Sequence, residues 1–195
     1  MRKKGLRTWI EINTQAIDNN IEIIRSIISP KTKIMAVVKS NAYGHSLVDF
    51  SKEVVKKGVE WLAVDSVVEG LTLRRESIDN QILVLGFTLP EMLNEAMMCN
   101  LSVTVSSFST INSIKANCQK PIKTHIKIDT GLHRQGFLPE EKEALIKTLK
   151  ENKHCIQVEG LYTHFAAAKD PTSLEFTKKQ IQIFKEWIDV FKNAG

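Results

Sequence analysis

The chain has 195 residues, of which 43% are hydrophobic and 25% are charged. This composition is that of an ordinary globular protein with one sizeable core, and it argues against a disordered or fibrous chain. The 27 Lys and Arg residues exceed the 22 Asp and Glu residues and give a net charge of +5, but the lysines are scattered along helix-like segments. The sequence therefore predicts solvated lysine faces rather than nucleic-acid binding.

The cysteines and the amino terminus indicate the compartment. Cys99, Cys118 and Cys155 lie far apart with no Cys-x-x-Cys pair, which predicts neither a disulfide framework nor a metal site. The basic start of the chain is not followed by an apolar core, so no secretory signal is predicted. No apolar run approaches membrane-spanning length. We expect a cytoplasmic protein without a membrane partner.

The predicted elements begin with a strand and a helix. Residues 6–13 alternate in a strand-like pattern, and Asn13 or Thr14 is expected to cap a helix whose isoleucines keep a helical period up to Pro30. Short apolar runs then alternate with helix-like segments. The runs end near Lys39, Asp65, Gly86, Val105, Asp129 and His164. The helices are predicted at residues 47–57, 66–75, 90–98, 108–117, 140–152 and 173–193.

This alternation of apolar runs and helix-like segments predicts a parallel sheet, either a closed eight-fold barrel or an open doubly wound sheet. The first strand is not followed by a Gly-x-Gly-x-x-Gly motif, and polar residues gather at the carboxyl ends of the strands, where barrel enzymes place their chemistry. Both observations favour the (β/α)8 barrel. About six β/α units are visible, so we expect a barrel truncated before closure and a chain that is part of a longer protein.

A lysine at the end of the first apolar run is the leading candidate for chemistry. Residues 34–38 predict a strand buried on both faces that stops at Lys39, before the turn-formers Ser40, Asn41 and Gly44. Burial would favour the neutral amine, a nucleophile able to form a Schiff base with an aldehyde. A lysine that merely extends to solvent at the strand end is the alternative.

The run at residues 124–129 carries a second candidate cluster. Strand alternation puts His125, Lys127 and Asp129 on one face, with Ile126 and Ile128 on the other. These groups would either line a polar barrel mouth or form an outward charged face over an isoleucine core. The pattern alone leaves both interpretations open.

The segment at residues 36–45, Ala-Val-Val-Lys-Ser-Asn-Ala-Tyr-Gly-His, resembles the pyridoxal-phosphate lysine motif of the alanine racemase family. The resemblance implies that Lys39 binds pyridoxal 5′-phosphate as a Schiff base and acts as one of two proton-transfer bases at the α-carbon of the substrate. It implies that Tyr43 reaches the cofactor phosphate. Gly44 suits the turn, and His45 receives no role.

Residues 127–131, Lys-Ile-Asp-Thr-Gly, followed by Arg134 and Gly136, resemble the second signature of the family. The resemblance implies that Arg134 hydrogen-bonds the phenolic oxygen of the cofactor and contacts the substrate carboxylate, tasks that suit a planar guanidinium. Lys127 matches a position that some members carbamylate to orient that arginine. The chain departs from the family pattern at His133, where glycine is usual, and at Gln135.

A third segment, Thr-His-Phe-Ala at residues 163–166, matches a family motif whose histidine packs on the pyridine ring. This implies a cofactor-binding role for His164, with structural hydrogen bonding as the alternative. Leu85 matches an apolar residue beside the cofactor, although core packing explains it equally well. Structural roles are assigned to Tyr162, Asp65, Glu69 and Arg74.

The resemblance implies a barrel over residues 14–195, and an opening strand within residues 1–13 that packs on a carboxyl-terminal β domain absent from this chain. It implies interconversion of L- and D-alanine, supplying D-alanine for peptidoglycan, in a homodimer whose partner subunit contributes a tyrosine as the opposing base. These 195 residues alone are expected to be inactive. The alternatives are a serine-preferring or broad-specificity racemase of the same family, and a pyridoxal-phosphate-binding protein without turnover.

Overall fold

A computed structural model describes Gly5 and residues 7–194. Helices and strands alternate along the chain, as the sequence predicts. The described residues divide into two compact units, one ending at Ile82 and one beginning at Leu83. The boundary falls within β3 (Gln81–Val84).

The first unit contains two neighbouring parallel strands and the helices around them. Its elements are α1 (Thr14–Ile27), β1 (Met35–Val37), α2 (Lys39–Tyr43), α3 (Leu47–Lys56), β2 (Trp61–Val64) and α4 (Val67–Arg75). Met35 pairs with Trp61 and Val37 with Ala63, so both strands run in the same direction and end at the same edge. The residues that follow β1 therefore lie beside those that follow β2. The helices predicted at 47–57 and 66–75 are confirmed to within one residue at each end.

The predicted capped helix is α1, whose first turn is closed by the side chain of Asn13 accepting from the Ala16 N–H. Its isoleucine face is not buried among the described residues of this unit. Polar contacts, rather than a buried apolar face, hold α1 against the rest of the unit. Lys57 pairs with Asp18 at 2.8 Å, and Arg25 donates to the Gly58 carbonyl at 2.8 Å.

The opening segment differs from the expected strand. Leu6, where that strand was expected to begin, lies outside the described residues, and residues 7–13 form no strand in the structure. A strand needs a hydrogen-bonded neighbour, and the sheet in the structure gives this segment none. The expectation that residues 1–13 pack on a second domain stays a prediction.

The second unit continues the alternation of parallel strands and helices. Its elements after β3 are α5 (Leu93–Met98), β4 (Ser102–Val105), α6 (Phe108–Asn117), β5 (Ile122–Lys127), α7 (Lys142–Glu151), β6 (Ile156–Tyr162) and α8 (Leu174–Ala194), with 3₁₀ turns at Pro90–Met92, Pro139–Glu141 and Pro171–Ser173. Within this unit β4 pairs with Leu83 and Val84 of β3, and β5 lies between β4 and β6. The core includes Ile126, Ile128, Phe137, Leu145 and Trp187, all fully buried.

A bulge interrupts the pairing of β5 with β6. Thr124 pairs with Val158 and His125 with Gly160, so Glu159 is an extra residue on β6. Its carboxylate accepts from the Ser102 hydroxyl at 2.7 Å and pairs with Lys123 at 3.5 Å. The extra residue thus supplies an acceptor for two polar side chains of neighbouring strands.

The cysteines correct a sequence prediction. Cys118 and Cys155 form a disulfide, with Cα atoms 5.5 Å apart, a separation that suits such a bridge. Their 37-residue separation hides the fact that each precedes one of two paired strands, because Ile122 pairs with Ile156. The expectation of no disulfide is therefore wrong. Cys99 is not part of a disulfide.

The longest helix, α8, has 21 residues and seven charged side chains. Across residues 7–194, none of the helices combines the length and the apolar character needed to cross a membrane.

A tight closure follows β5 and depends on one glycine. The Asp129 N–H donates to the Phe137 carbonyl at 3.0 Å, and the Phe137 N–H donates to the Lys127 carbonyl at 2.9 Å. Gly136 lies in this closure with φ of 130°, and a Cβ added there would sit 2.6 Å from the Asp129 nitrogen and 2.7 Å from the Ile128 carbonyl carbon. Only glycine fits without moving the backbone.

We expect Gly136→Ala to lower the free energy of unfolding more than Gly58→Ala does. Gly58 also has a positive φ, of 81°, but nothing lies within 4 Å of an added Cβ. Backbone strain of about 1–2 kcal/mol applies to both positions, and the clash with backbone at Gly136 adds about 1–3 kcal/mol. Urea denaturation of the two variants measures the difference, and equal losses would contradict the steric argument.

Candidate functional site

Lys39 lies where the sequence predicts, just after β1 and the fully buried Val38. Its ammonium group is 3.2 Å from a carboxylate oxygen of Asp65, which follows β2. The side chain keeps 34% of its surface exposed. The expectation that Lys39 is buried is therefore wrong for the described residues, because the amine is held by an ion pair at the strand edge and stays open to solvent.

The residues after Lys39 form a left-handed turn. Ser40, Asn41, Ala42 and Tyr43 have φ of 53°, 57°, 51° and 53°, although none of them is glycine. A left-handed conformation costs about 1–2 kcal/mol for each such residue. The turn ends at Gly44, whose φ of 92° is the feature expected from the sequence.

One carboxylate connects this turn to the partner of Lys39. Glu69, in the first turn of α4, accepts from the Ser40 N–H at 2.7 Å and from the Asp65 N–H at 2.7 Å. The sequence assigned Asp65 and Glu69 structural roles, but the structure places Asp65 against the Lys39 amine and Glu69 against the backbone on both sides of that pair. The signal for Glu69 was its place three residues after Ser66, the N-cap of α4.

Tyr43 and His45 share the loop but differ in environment. Tyr43, the predicted phosphate ligand, keeps 61% of its surface exposed at the end of the turn. The His45 Nδ1 atom lies 2.9 Å from the Ala42 carbonyl, and its ring lies 5.7 Å from the Phe50 ring. These contacts are those of a loop-stabilising residue.

The polar face around the end of β5 is turned inward. Lys127 is 3% exposed and Asp129 is 6% exposed, while Ile126 and Ile128 are fully buried. An outward charged face is therefore excluded for these residues.

Arg74, also assigned a structural role, donates to the Ile78 and Asn80 carbonyls in the first unit, which confirms that assignment.

Asp129 organises the turn that leads to Arg134. Its carboxylate accepts from the Gly131 N–H at 2.8 Å and from the His133 N–H at 3.2 Å. Burial alone would raise the pKa of Asp129, but these backbone hydrogen bonds outweigh it and leave the pKa lowered. His133 has φ of 53°, a conformation that glycine adopts more readily, at the position where the family resemblance implies a glycine. Arg134 itself is exposed.

Lys127 sits in a different electrostatic environment from Lys39. Burial first, and Arg134 second, lower its pKa from 10.5 to about 8, while Asp129 opposes the change. The ammonium lies 4.6 Å from the centre of the Tyr162 ring. Burial raises the pKa of the Tyr162 hydroxyl, which contacts the Thr104 hydroxyl at 2.8 Å.

Leu85 and Gln135 meet in the second unit. Leu85 is half-buried, and its carbonyl accepts from the Gln135 side chain at 3.5 Å. Gln135, one of the two departures from the family pattern, thus turns its amide toward the residue predicted to lie beside the cofactor.

His164 follows β6 and is exposed. The loop that carries it is fixed by its neighbours. The Thr163 hydroxyl lies 2.8 Å from the Thr130 hydroxyl and donates to the Ile128 carbonyl at 2.9 Å. The Gln180 side chain, fully buried on α8, donates to Thr130 at 3.1 Å and accepts from the Ala166 N–H at 3.1 Å. Sequence analysis missed Gln180, because a lone glutamine within a helix carries no motif.

The predicted residues thus fall into sets within each unit. In the first unit Lys39 lies against Asp65, with Tyr43 on the same turn. In the second unit the loops that carry Arg134 and His164 are joined through Thr130 and its contacts.

These side chains fit a cofactor that carries an aldehyde and a phosphate. An accessible primary amine can bond to the aldehyde, while a phenol and a guanidinium donate hydrogen bonds to anionic oxygens. In the first unit Lys39 and Tyr43 supply the amine and the phenol, and in the second unit Arg134 supplies a guanidinium; each keeps surface exposed to solvent.

Known proteins resemble this chain along nearly its whole length. The alanine racemase of Methanococcus maripaludis is 43% identical over 191 residues, which are 96% of this chain and 51% of that protein. An amino-acid racemase of Enterococcus faecalis is 36% identical over 192 residues, which are 97% of this chain and 26% of the relative. A solved structure of alanine racemase from Clostridium difficile is 34% identical, with a TM-score of 0.92, covering 99% of this chain and 54% of that one. The chain spans about half the length of the curated relatives that it matches first.

This likeness confirms the predicted fold, a partial β/α barrel in which parallel strands and helices alternate. The family model for the amino-terminal domain of alanine racemase matches residues 12–195. The chain belongs to the alanine racemase amino-terminal domain family.

Proposed function

We propose that the whole protein is a pyridoxal-phosphate-dependent alanine racemase that interconverts L- and D-alanine. The observation that carries this proposal is the Lys39 amine, held by Asp65 at the end of β1 and open to solvent, within the family lysine motif. Bound pyridoxal phosphate supplies an electron sink that acidifies the α-carbon of an attached amino acid. The chain supplies the attachment, the orientation and a base.

Lys39 has two roles in this proposal. Its amine would hold the cofactor through the aldehyde, and it would serve as the base that takes or returns the α-proton on one face of the substrate. The Asp65 carboxylate, 3.2 Å from the nitrogen, keeps the amine at the strand edge. Inversion needs a second base on the other face, and we propose a tyrosine from the second domain of a partner subunit in a homodimer.

The other predicted ligands hold and orient the cofactor and substrate. We propose that Tyr43 binds the phosphate and that Arg134 binds the phenolic oxygen and the substrate carboxylate. Their exposed polar groups support these roles. His164 would pack on the pyridine ring, and Leu85 would lie beside it.

Lys127 is proposed to be carbamylated and to orient Arg134. Its pKa of about 8 leaves a substantial neutral fraction near physiological pH, and only the neutral amine reacts with carbon dioxide. The Lys127 cation is repelled by the positive charge of Arg134, whereas a carbamate anion would be attracted to it. This change of sign gives the modification a physical advantage at a buried position.

The resemblance to the E. faecalis amino-acid racemase keeps a serine-preferring or broad-specificity racemase as a second candidate. A pyridoxal-phosphate-binding protein without turnover is the candidate from another class. Rates of racemisation of alanine and serine by the full-length protein separate the three functions. In this proposal the protein is cytoplasmic and supplies D-alanine for peptidoglycan, although the cysteines no longer support that location, because Cys118 and Cys155 form a disulfide.

We expect Lys39 to be the residue bonded to pyridoxal phosphate. Reduction of the loaded protein with borohydride, followed by peptide mapping, should find the cofactor on Lys39 and no attachment in Lys39→Ala. Lys31→Ala, which removes an exposed lysine in the same unit, serves as the matched control and should be labelled like the wild type. Cofactor on another lysine, with Lys39 unmodified, would contradict the assignment of Lys39 as the residue that binds the cofactor.

The buried Lys127 should give a measurable pH dependence of stability. Because its folded pKa is lowered, the unfolded chain binds more protons between pH 8 and 10.5, so stability rises with pH across that window. The wild type should therefore gain stability relative to Lys127→Met between pH 7.5 and about 10. Urea denaturation in buffer freed of carbon dioxide measures this gain. Lys147→Met, at an exposed position, should show no such change, and a pH-independent difference at Lys127 would contradict the argument.

These 195 residues alone should not racemise alanine. They span about half the length of their curated relatives, and a second domain is proposed to provide the opposing base and to shield the reaction from water. One base can still exchange a proton on one face, so slow incorporation of deuterium at the α-carbon of one enantiomer is the most we expect. Incubation with cofactor and L-alanine in deuterated water, followed by chiral analysis, measures both quantities. Rapid formation of D-alanine would show that the missing half is dispensable.

A further inference from the structure

Glu69 has an unusual position for a residue in the first turn of a helix. An ordinary capping box directs the glutamate carboxylate to the backbone N–H of the N-cap residue. Here the N-cap is Ser66, whose hydroxyl oxygen accepts from the Glu69 N–H at 3.3 Å. The Glu69 carboxylate reaches past Ser66 to two other donors, the Ser40 N–H and the Asp65 N–H.

The two donors flank the Lys39 amine. Ser40 directly follows Lys39 and is the first residue of the left-handed turn. Asp65 carries the carboxylate that pairs with the Lys39 nitrogen. Each oxygen of Glu69 takes one of these N–H groups at 2.7 Å. One carboxylate therefore fixes the backbone beside the amine and the backbone of its ionic partner.

Glu69 is itself held on a rigid element. The neighbouring α4 residues Val67 and Leu73 are buried, and the Gly70 N–H closes the first turn on the Ser66 carbonyl at 3.2 Å. A carboxylate near a helix amino terminus is also favoured by the helix dipole. The Glu69 carboxylate is thus anchored to a packed helix rather than to the loop that it restrains.

We propose that Glu69 is a positioning residue that sets the direction of the Lys39 amine. The inference deepens the proposed function, because it rests on Lys39 being the amine that bonds to the cofactor. Glu69 does not touch the amine, and it acts through Ser40 and Asp65. Its two oxygens match two N–H donors, and Glu69→Gln places an amide N–H₂ against one of them, so one hydrogen bond is lost and two donors oppose each other.

The test compares wild type, Glu69→Gln, Glu69→Asp and the control Glu76→Gln. Glu76 follows the same helix and pairs with Lys52 at 2.7 Å in an exposed position, so the control removes the same charge away from Lys39. Asp at position 69 keeps the charge on a shorter stem. The first readout is amide hydrogen exchange at Ser40 and Asp65. The second is the rate and pH dependence of pyridoxal phosphate attachment to Lys39, trapped with borohydride and mapped by peptide.

We expect Glu69→Gln to speed exchange at the Ser40 or Asp65 amide by about tenfold. We expect it to slow attachment at Lys39 by about tenfold or more, because a misdirected amine loses reaction geometry. Glu69→Asp should fall between Glu69→Gln and wild type, and Glu76→Gln should match wild type in both readouts. If Glu69→Gln does not fold, the same two measurements on Glu69→Asp decide the question.

Unchanged exchange and unchanged attachment in a folded Glu69 variant would overturn the proposal. An equal slowing in Glu76→Gln would also overturn it, because the effect would then follow net charge or general stability. If the proposed function itself is wrong, the experiment gives a different result. In that case wild type itself shows no cofactor on Lys39, while the exchange readout still reports whether Glu69 fixes the two amides.

Discussion

The hydrogen-bond requirement of the left-handed turn after Lys39 is the constraint that organises the first unit. An intramolecular hydrogen bond contributes about 0.5–1.5 kcal/mol, and this turn, most of whose residues are exposed, has left the strand that supplied partners to β1. The Ser40 N–H is taken by Glu69, and the Ala42 N–H donates to the Val38 carbonyl at 2.8 Å. The Asn41 side chain accepts from the Leu47 N–H at 2.8 Å and so begins α3. The strained backbone is thus stabilised by partners from a helix, a strand end and the turn itself, and Lys39 leaves the chain in a defined direction.

The second unit fixes its candidate residues at the base of their loops. Asp129 and the backbone closure at Gly136 hold the turn that carries Arg134. Gln180 and Thr130 hold the loop that carries His164. In both loops the buried groups make the hydrogen bonds, and the candidate ligand extends from them into solvent. This separation suits binding of a polar molecule, because buried groups fix the backbone of each loop while the candidate side chain lies at the surface.

The sequence predicted regular elements well and irregular backbone poorly. The helix predicted at 108–117 has those bounds in the structure, where the Ser107 side chain caps its first turn. The sequence predicted a turn at Ser40, Asn41 and Gly44 but not its left-handed backbone, because Ser, Ala and Tyr rarely adopt that conformation and tertiary partners overrode their preference. Pairing of Cys118 with Cys155 depended on strand register, which spacing along the chain does not reveal. The roles proposed for Arg134 and His164 came from the family resemblance alone, since an arginine in a loop and a histidine at a strand end carry no distinctive pattern.

Lys39 and Lys127 show why residue type and position do not determine reactivity. Both lysines lie at the carboxyl end of a parallel strand. Lys39 keeps 34% of its side chain exposed and has a carboxylate partner at 3.2 Å, which holds the nitrogen at the strand edge. Lys127 is buried over the Tyr162 ring. Burial and the positive charge of Arg134 lower its pKa in the absence of any ligand. The first environment leaves the amine accessible to an incoming aldehyde, and the second raises the neutral fraction of a buried amine. The chemistry proposed for each lysine therefore follows from its neighbours, Glu69 and Asp65 for one and Tyr162 and Arg134 for the other.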